Sequence, residues 1–286
     1  MSAAAYDLFL PAARTTAAIF ASPHSGRDYP AALLTASLLD GLAIRSSEDA
    51  FVDALFADAP RLGAPLLAAR LPRAWVDLNR AADELDPALI EGVRRGGLNP
   101  RVSSGLGVIP RVVANGRQIY SGRLTLAEAE SRIVQVWQPY HAALQGLIDE
   151  SRAVFGESLL IDCHSMPHDA IAAHARPGRP APEVVLGDRF GATASAEVMD
   201  LVEGAFARAG FRVARNNPFA GAYVAQAYGR PSRGQHVVQV EIDRALYMDE
   251  TRVAPGPGFA EIRARLAGVV AEITAFGRGA EALAAE

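Results

Sequence analysis

The chain has 286 residues, half of them apolar, and a formal net charge of -4 from 28 basic and 32 acidic side chains. That length supports one large α/β core, and the interspersed charges lack the basic stripe of a nucleic-acid binder, so a small molecule is the expected partner. No run approaches the roughly 18 apolar residues of a membrane span, and Met1 to Phe20 lacks the ordered regions of a secretory signal, so a cytoplasmic protein with no membrane partner is expected.

The single cysteine, Cys163, excludes an internal disulfide and any multi-cysteine zinc site, so histidine and carboxylate must carry a metal if there is one. The sequence contains no lysine. Every basic side chain is thus a guanidinium fork, suited to two-point pairing with carboxylates.

In chain order, short apolar runs predict strands at Thr16–Ser22, Pro65–Arg70, Ala74–Leu78, Ser158–Cys163, Glu183–Gly187, Phe211–Ala214 and His236–Ile242. Helical periodicity falls between them at Ala31–Leu39, Glu48–Ala59, Leu126–Phe155, Ala194–Ala209 and Phe259–Phe276. The alternation predicts α/β class: a single three-layer α/β/α domain over residues 1–286 with a central mixed sheet. Thr125 and Glu128 have capping-box spacing at the start of the longest helix, and Pro139 should kink or break it into two pieces. Residues 91–122, rich in Gly, Arg, Ser and Asn, form a candidate lid, and 176–182 a second loop.

Two histidines follow strand-like runs, His24 in Ser-Pro-His-Ser-Gly and His164 in Asp-Cys-His-Ser. Ligands bind beyond strand ends in covered sheets, so both imidazoles can face one crevice. Glu48 and Asp49 fall in the first turn of a helix that Ser46 or Ser47 would cap, with Asp53 one turn on. Two imidazoles, a carboxylate and a water make a hydrolytic zinc site, and either Glu48 or Asp49 can supply the carboxylate. Glu241, among β-branched neighbours, has the surroundings of a general base. Asn79-Arg80 offers an amide and a guanidinium to a substrate carboxylate, and Arg111 and Tyr120 lie in the lid region. A competing reading makes Cys163 a nucleophile beside His164, although a thiol buried in a strand would be inert.

The ordered set His24-Ser-Gly with Tyr29-Pro30, Glu48-Asp49, Asp77-Leu-Asn79-Arg80, Pro139-Tyr140-His141, Asp162-Cys-His164, Asn216-Asn-Pro218 and Gln239-Val-Glu241-Ile-Asp-Arg244 resembles N-formylglutamate amidohydrolases over roughly residues 17 to 250. The resemblance implies a fold like that of zinc carboxypeptidases and aspartoacylases, one zinc ion on His24 and His164, Glu241 as base, and a carboxylate clamp at Asn79-Arg80. Asp49 is the expected third ligand, with Glu48 its competitor. Arg111, Tyr120, Asn216 and Arg244 are further expected substrate contacts. The implied reaction is hydrolysis of an N-formyl amino acid, as in histidine degradation. The alternatives are another N-acyl amino acid or a non-catalytic carboxylate binder.

Overall fold

The computed structural model describes residues 4–94, 99–175 and 180–278. Seven strands form one mixed sheet: β1 (Tyr6–Phe9), β2 (Ala18–Ser22), β3 (Leu66–Ala69), β4 (Ser158–Met166), β5 (Val184–Gly187), β6 (Val213–Arg215) and β7 (Gln235–Asp243). Their order is β1-β3-β2-β4-β7-β5-β6. Strands β2, β4 and β7 run parallel, while β5 is antiparallel to β7 and parallel to β6. Every residue of β4 and β7 is buried. Strands covered on both faces favour apolar stretches, and residues 159–161 and 237–240 made these two readable despite the polar residues they also carry. The α/β class with a central mixed sheet and flanking helices is as expected.

The chain gathers into two compact units. One comprises the N-terminal residues to Asp7 with Pro23–Ala50 and Ala68–Ala143, and is largely loops and short helices, among them Ala31–Ala36 and Leu126–Arg132. Its interior includes Arg132, whose guanidinium carbon lies 3.4 Å over the Trp75 ring while its Nη1 donates to Tyr120 Oη at 2.8 Å. The other comprises Leu8–Ser22, Phe51–Leu67 and the chain from Leu144 onward. It holds the centre of the sheet and the helices Ala196–Arg208 and Phe259–Ile273, which pack on each other. Among the described residues no helix is long and apolar enough to cross a membrane.

Three local expectations are revised, and one strand was not foreseen. The run Ala74–Leu78 forms turns, because Pro72 starts a reversal in which the amides of Trp75 and Val76 donate back to its carbonyl at 2.9 and 3.4 Å. The helix expected from Glu48 is reduced to Val52–Leu55, because Phe51 takes the left-handed conformation (φ 66°) and a helix cannot run through it. The long helix does not break at Pro139; a wide π turn at Ile133–Trp137 joins Leu126–Arg132 to Gln138–Phe155 and accommodates the missing N–H. Strand β1 went unread because it is largely exposed and lacks alternation.

Residues 95–98 of the candidate lid, 176–179 of the second loop and the Ala/Glu-rich end lie outside the described residues. Elsewhere in the candidate lid, Asn99 Oδ1 caps the helix Pro100–Ser103 by accepting from the amides of Arg101 and Val102.

Phe20, fully buried in β2, packs on Phe56 with ring centroids 5.8 Å apart. Phe20→Ala is expected to cost about 3–5 kcal/mol, because the close-packed interior relaxes only in part around the cavity. A shift in the midpoint of urea unfolding at constant slope measures it.

Candidate active site

The first histidine is fixed from its Nε2 edge. His24 Nε2 lies 2.7 Å from Asp77 Oδ1, and the same oxygen accepts the backbone N–H of Asn79 at 2.9 Å. The other oxygen accepts from Arg73 Nη2 at 2.8 Å. Burial would raise the Asp77 carboxyl, but Arg73, His24 and Arg80 hold it well below the usual carboxylate range. It is therefore ionised, and an ionised carboxylate accepts from Nε2–H, which makes Nδ1 the ligand atom of this ring. His24 Nδ1 faces Asp49 Oδ2 at 3.4 Å. Asp49 is brought there by its own amide, which donates to the His24 carbonyl at 3.0 Å. Gly26 completes the local geometry: a Cβ at this position would lie 2.1 Å from the Leu71 carbonyl oxygen.

Neighbouring Glu48 is engaged differently. Arg45 grips it through Nε and Nη2, both at 2.9 Å, and Tyr29 Oη donates to Oε2 at 3.0 Å. These bonds turn its carboxylate to Arg45 and Tyr29. Neither acid sits in a helical first turn, since Glu48 is extended and Asp49 lies in the connection to Val52–Leu55.

The second histidine is set by the sheet. His164 on β4 is in register with Glu241 on β7, which pairs on its other side with Val185 of β5. Two residues earlier lies a second row, Asp162, Gln239 and Gly187. Residues paired across strands, and residues two apart along one strand, project from the same face. Asp162 Oδ2 accordingly lies 3.1 Å from His164 Nε2, and Gln239 Nε2 donates to Glu241 Oε1 at 2.8 Å. Cys163, one residue out of phase, projects from the opposite face; burial, then Asp162, pushes its thiol up, the reverse of what a thiolate nucleophile needs.

His24, Asp49 and His164, all buried, each offer a ligand atom, and these atoms lie within 4.8 Å of one another. Bonds of about 2 Å put the ligands of one ion roughly 3–4 Å apart. The closeness of these atoms and their donor chemistry make this a group that could hold a metal ion.

The other expected residues are dispersed among different tasks. Arg80 is buried, its Nε donating to the Leu106 carbonyl at 2.9 Å and its Nη1 to that of Asn79 at 3.0 Å, with no carboxylate paired to it among the described residues. Burial lowers its pKa, partly offset by Asp77. The backbone of this segment is itself held, because Trp137 Nε1 donates to the Arg80 carbonyl at 2.9 Å and His141 Nε2 to that of Leu78 at 3.0 Å. Arg111 is taken up by Asp86 at 2.8 Å and Tyr120 by Arg132. Asn216 shapes the loop after β5, accepting from the amides of Asp188 and Phe190. Arg244 is buried and donates from Nε to Ser165 Oγ at 3.1 Å.

Sequence reasoning assigned no part to Asp77, Asp162 or Gln239. Two of them carried a signal, since each lies two residues before a site residue on the same strand.

A mixed sheet with two buried histidines beside carboxylates is an arrangement compatible with an α/β hydrolytic enzyme, and the relatives of this chain are amidohydrolases. The chain belongs to the N-formylglutamate amidohydrolase family, whose sequence profile matches residues 16–248. It is 30% identical to the N-formylglutamate deformylase of Pseudomonas aeruginosa over 236 residues, covering 81% of this chain and 82% of that one. The Pseudomonas putida N-formylglutamate deformylase is likewise 30% identical, over 240 residues and 82% of each chain. The crystal structure of N-formylglutamate amidohydrolase from Ralstonia eutropha superposes with a TM-score of 0.88 at 36% identity, covering 96% of this chain and 98% of that one.

Burial pulls His141 down to about 4, against its bond to the Leu78 carbonyl. Histidine in the unfolded chain titrates near pH 6.5, so between these values the unfolded state binds more protons. The stability from neutral His141 is complete above about pH 6.5 and is lost as pH falls toward 4, a change on the order of 3 kcal/mol. His141→Gln should flatten this part of the curve, which urea melts at about pH 4.5 and about pH 7.5 would reveal.

Proposed function

We propose that this protein hydrolyses the formyl amide of N-formyl-L-glutamate to formate and L-glutamate, with one divalent ion, zinc, as cofactor. The observation that carries this reading is the row in which His164, braced by Asp162, stands beside Glu241, braced by Gln239. The substrate is inferred from the names of the deformylase relatives, which support this reading.

His24, Asp49 and His164 would hold the ion, and two neutral imidazoles with one carboxylate suit zinc better than magnesium or calcium. When bound, zinc supplies Lewis acidity at the reacting amide and water. Glu241 takes a proton from the attacking water and returns it to the departing amine nitrogen, so one carboxylate serves both halves of the reaction. Arg80 receives a substrate carboxylate, since its buried guanidinium is held by carbonyls and its charge is otherwise uncompensated by an ion pair. A mismatched substrate would leave that charge buried and unpaired, which penalises neutral analogues.

Purified protein should contain about one zinc per chain and release formate from N-formylglutamate in preference to N-acetyl amino acids. Lack of formate release from any N-formyl amino acid by metal-replete protein would sink the proposal. Glu241→Gln should retain the metal and lose about 10²–10⁴-fold in kcat. Asp49→Ala should lose the metal, whereas Glu48→Gln should keep it, because Glu48 is engaged by Arg45 and Tyr29. Elemental analysis of the three variants separates these outcomes.

A further inference from the structure

We propose that Gln239 is a positioning residue for Glu241, and that it ties the orientation of this carboxylate to the loop Ala220–Ala222. The inference rests on the reading of Glu241 as the general base.

The backbone N–H of Ala222 donates to Gln239 Oε1 at 2.9 Å, and Gln239 Nε2 donates to Glu241 Oε1 at 2.8 Å. These two contacts define which way the amide points. A backbone N–H can only donate, so the atom facing it is the carbonyl oxygen, and the NH₂ must then face the carboxylate, which can only accept. A flipped amide would place donor against donor and acceptor against acceptor. The side chain is buried, at 4% exposure, which makes that mismatch costly.

The loop on which this rests has a defined seat. Gln239 pairs in register with Gly187 of β5, and a Cβ at Gly187 would lie 2.6 Å from the Ala220 carbonyl carbon and from the Gly221 nitrogen. Only glycine lets the loop backbone pass so close to the sheet. Gly221 takes φ 107° there, and the Arg189 amide donates to the Ala220 carbonyl at 2.7 Å. The chain of contacts therefore runs from the gap at Gly187 to the loop, from the loop amide to Gln239, and from Gln239 to one oxygen of Glu241. Fixing Oε1 directs Oε2 as the proton-accepting atom.

The test is a cycle of four proteins: wild type, Gln239→Met, Glu241→Gln and the double variant, with formate release, metal content and hydrogen exchange of the Ala222 amide measured on each. Methionine keeps the volume and removes both hydrogen bonds. Gln239→Met is expected to lose roughly 10- to 100-fold in kcat, the scale of a misplaced reacting group, with KM and metal content within about twofold. It should also speed exchange at Ala222. In the Glu241→Gln background the same change should cost no further kcat, because a residue acting through Glu241 has nothing left to position. Equal losses in both backgrounds, or near-normal kcat in Gln239→Met, would overturn the proposal. Near-normal turnover by Glu241→Gln alone would instead overturn the reading of the base. Should Gln239→Met fail to fold, Gly187→Ala tests the same path from its far end, with lowered kcat expected and unchanged kcat counting against it.

Discussion

Two buried carboxylates, Asp77 and Asp162, each face the Nε2 edge of an imidazole, and much of the surrounding structure makes that burial tolerable. An ionised carboxylate removed from water is strongly unfavourable unless it is paired and hydrogen-bonded. Asp77 meets the condition with Arg73, the Asn79 amide and His24. Asp162, wholly buried on β4, has His164 beside it. In return Asp77 fixes the tautomer and tilt of the His24 ring and leaves its Nδ1 facing Asp49. Metal-binding histidines are usually braced in this way, and loss of the brace typically costs about 10- to 100-fold in metal affinity or activity.

The sheet applies the same device twice on one face. Along β4 the brace precedes its ring by two residues, Asp162 before His164; along β7 the amide precedes its acid by two, Gln239 before Glu241. Because β4 and β7 are parallel and in register, the supporting pair forms one row and the working pair the next. This arrangement needs no long-range coincidence beyond the register itself, and a strand slipped by one residue would turn all four side chains to the other face. Continuous burial of both strands specifies that register strongly.

What was legible in the sequence follows from this division. Strands β4, β5 and β7 could be read because they are buried throughout and each carries a short stretch of apolar, mostly β-branched residues. His24 and His164 drew notice because a histidine after a strand-like run is a short-range pattern, although His164 lies within β4; Asp49 was suggested by an expected helix start and Glu241 by its β-branched neighbours. The surroundings of Asp49 could not be read, since they depend on the left-handed turn at Phe51 and on an amide bond to the His24 carbonyl, neither of which has a periodic signature. The same holds for Asp77, which joins His24 across 53 residues. That Asp49 joins His24 and His164 in a group that could hold a metal, while Arg45 and Tyr29 engage Glu48, is a difference the two adjacent acids do not display in the sequence. Arg111 and Tyr120 had suitable chemistry at suitable places in the chain, yet the fold gives them Asp86 and Arg132 as partners.

Cys163 and His164 show how strand geometry assigns chemistry to neighbouring residues. Both are nucleophilic or ligating by type, both are buried, and they are adjacent in sequence. The period of two along β4 sends them to opposite faces. On one side His164 joins a row of polar groups that includes Glu241; on the other, Cys163 Sγ donates to the Ile161 carbonyl at 3.4 Å and also bonds the backbone of Ala21, in surroundings that on balance favour the neutral thiol. A thiol needs a cation or a base within reach to become a nucleophile, and the residue best placed by sequence to be that base is the one the pleat turns away. The same alternation that brings His164 to Glu241 therefore argues against cysteine chemistry at this position.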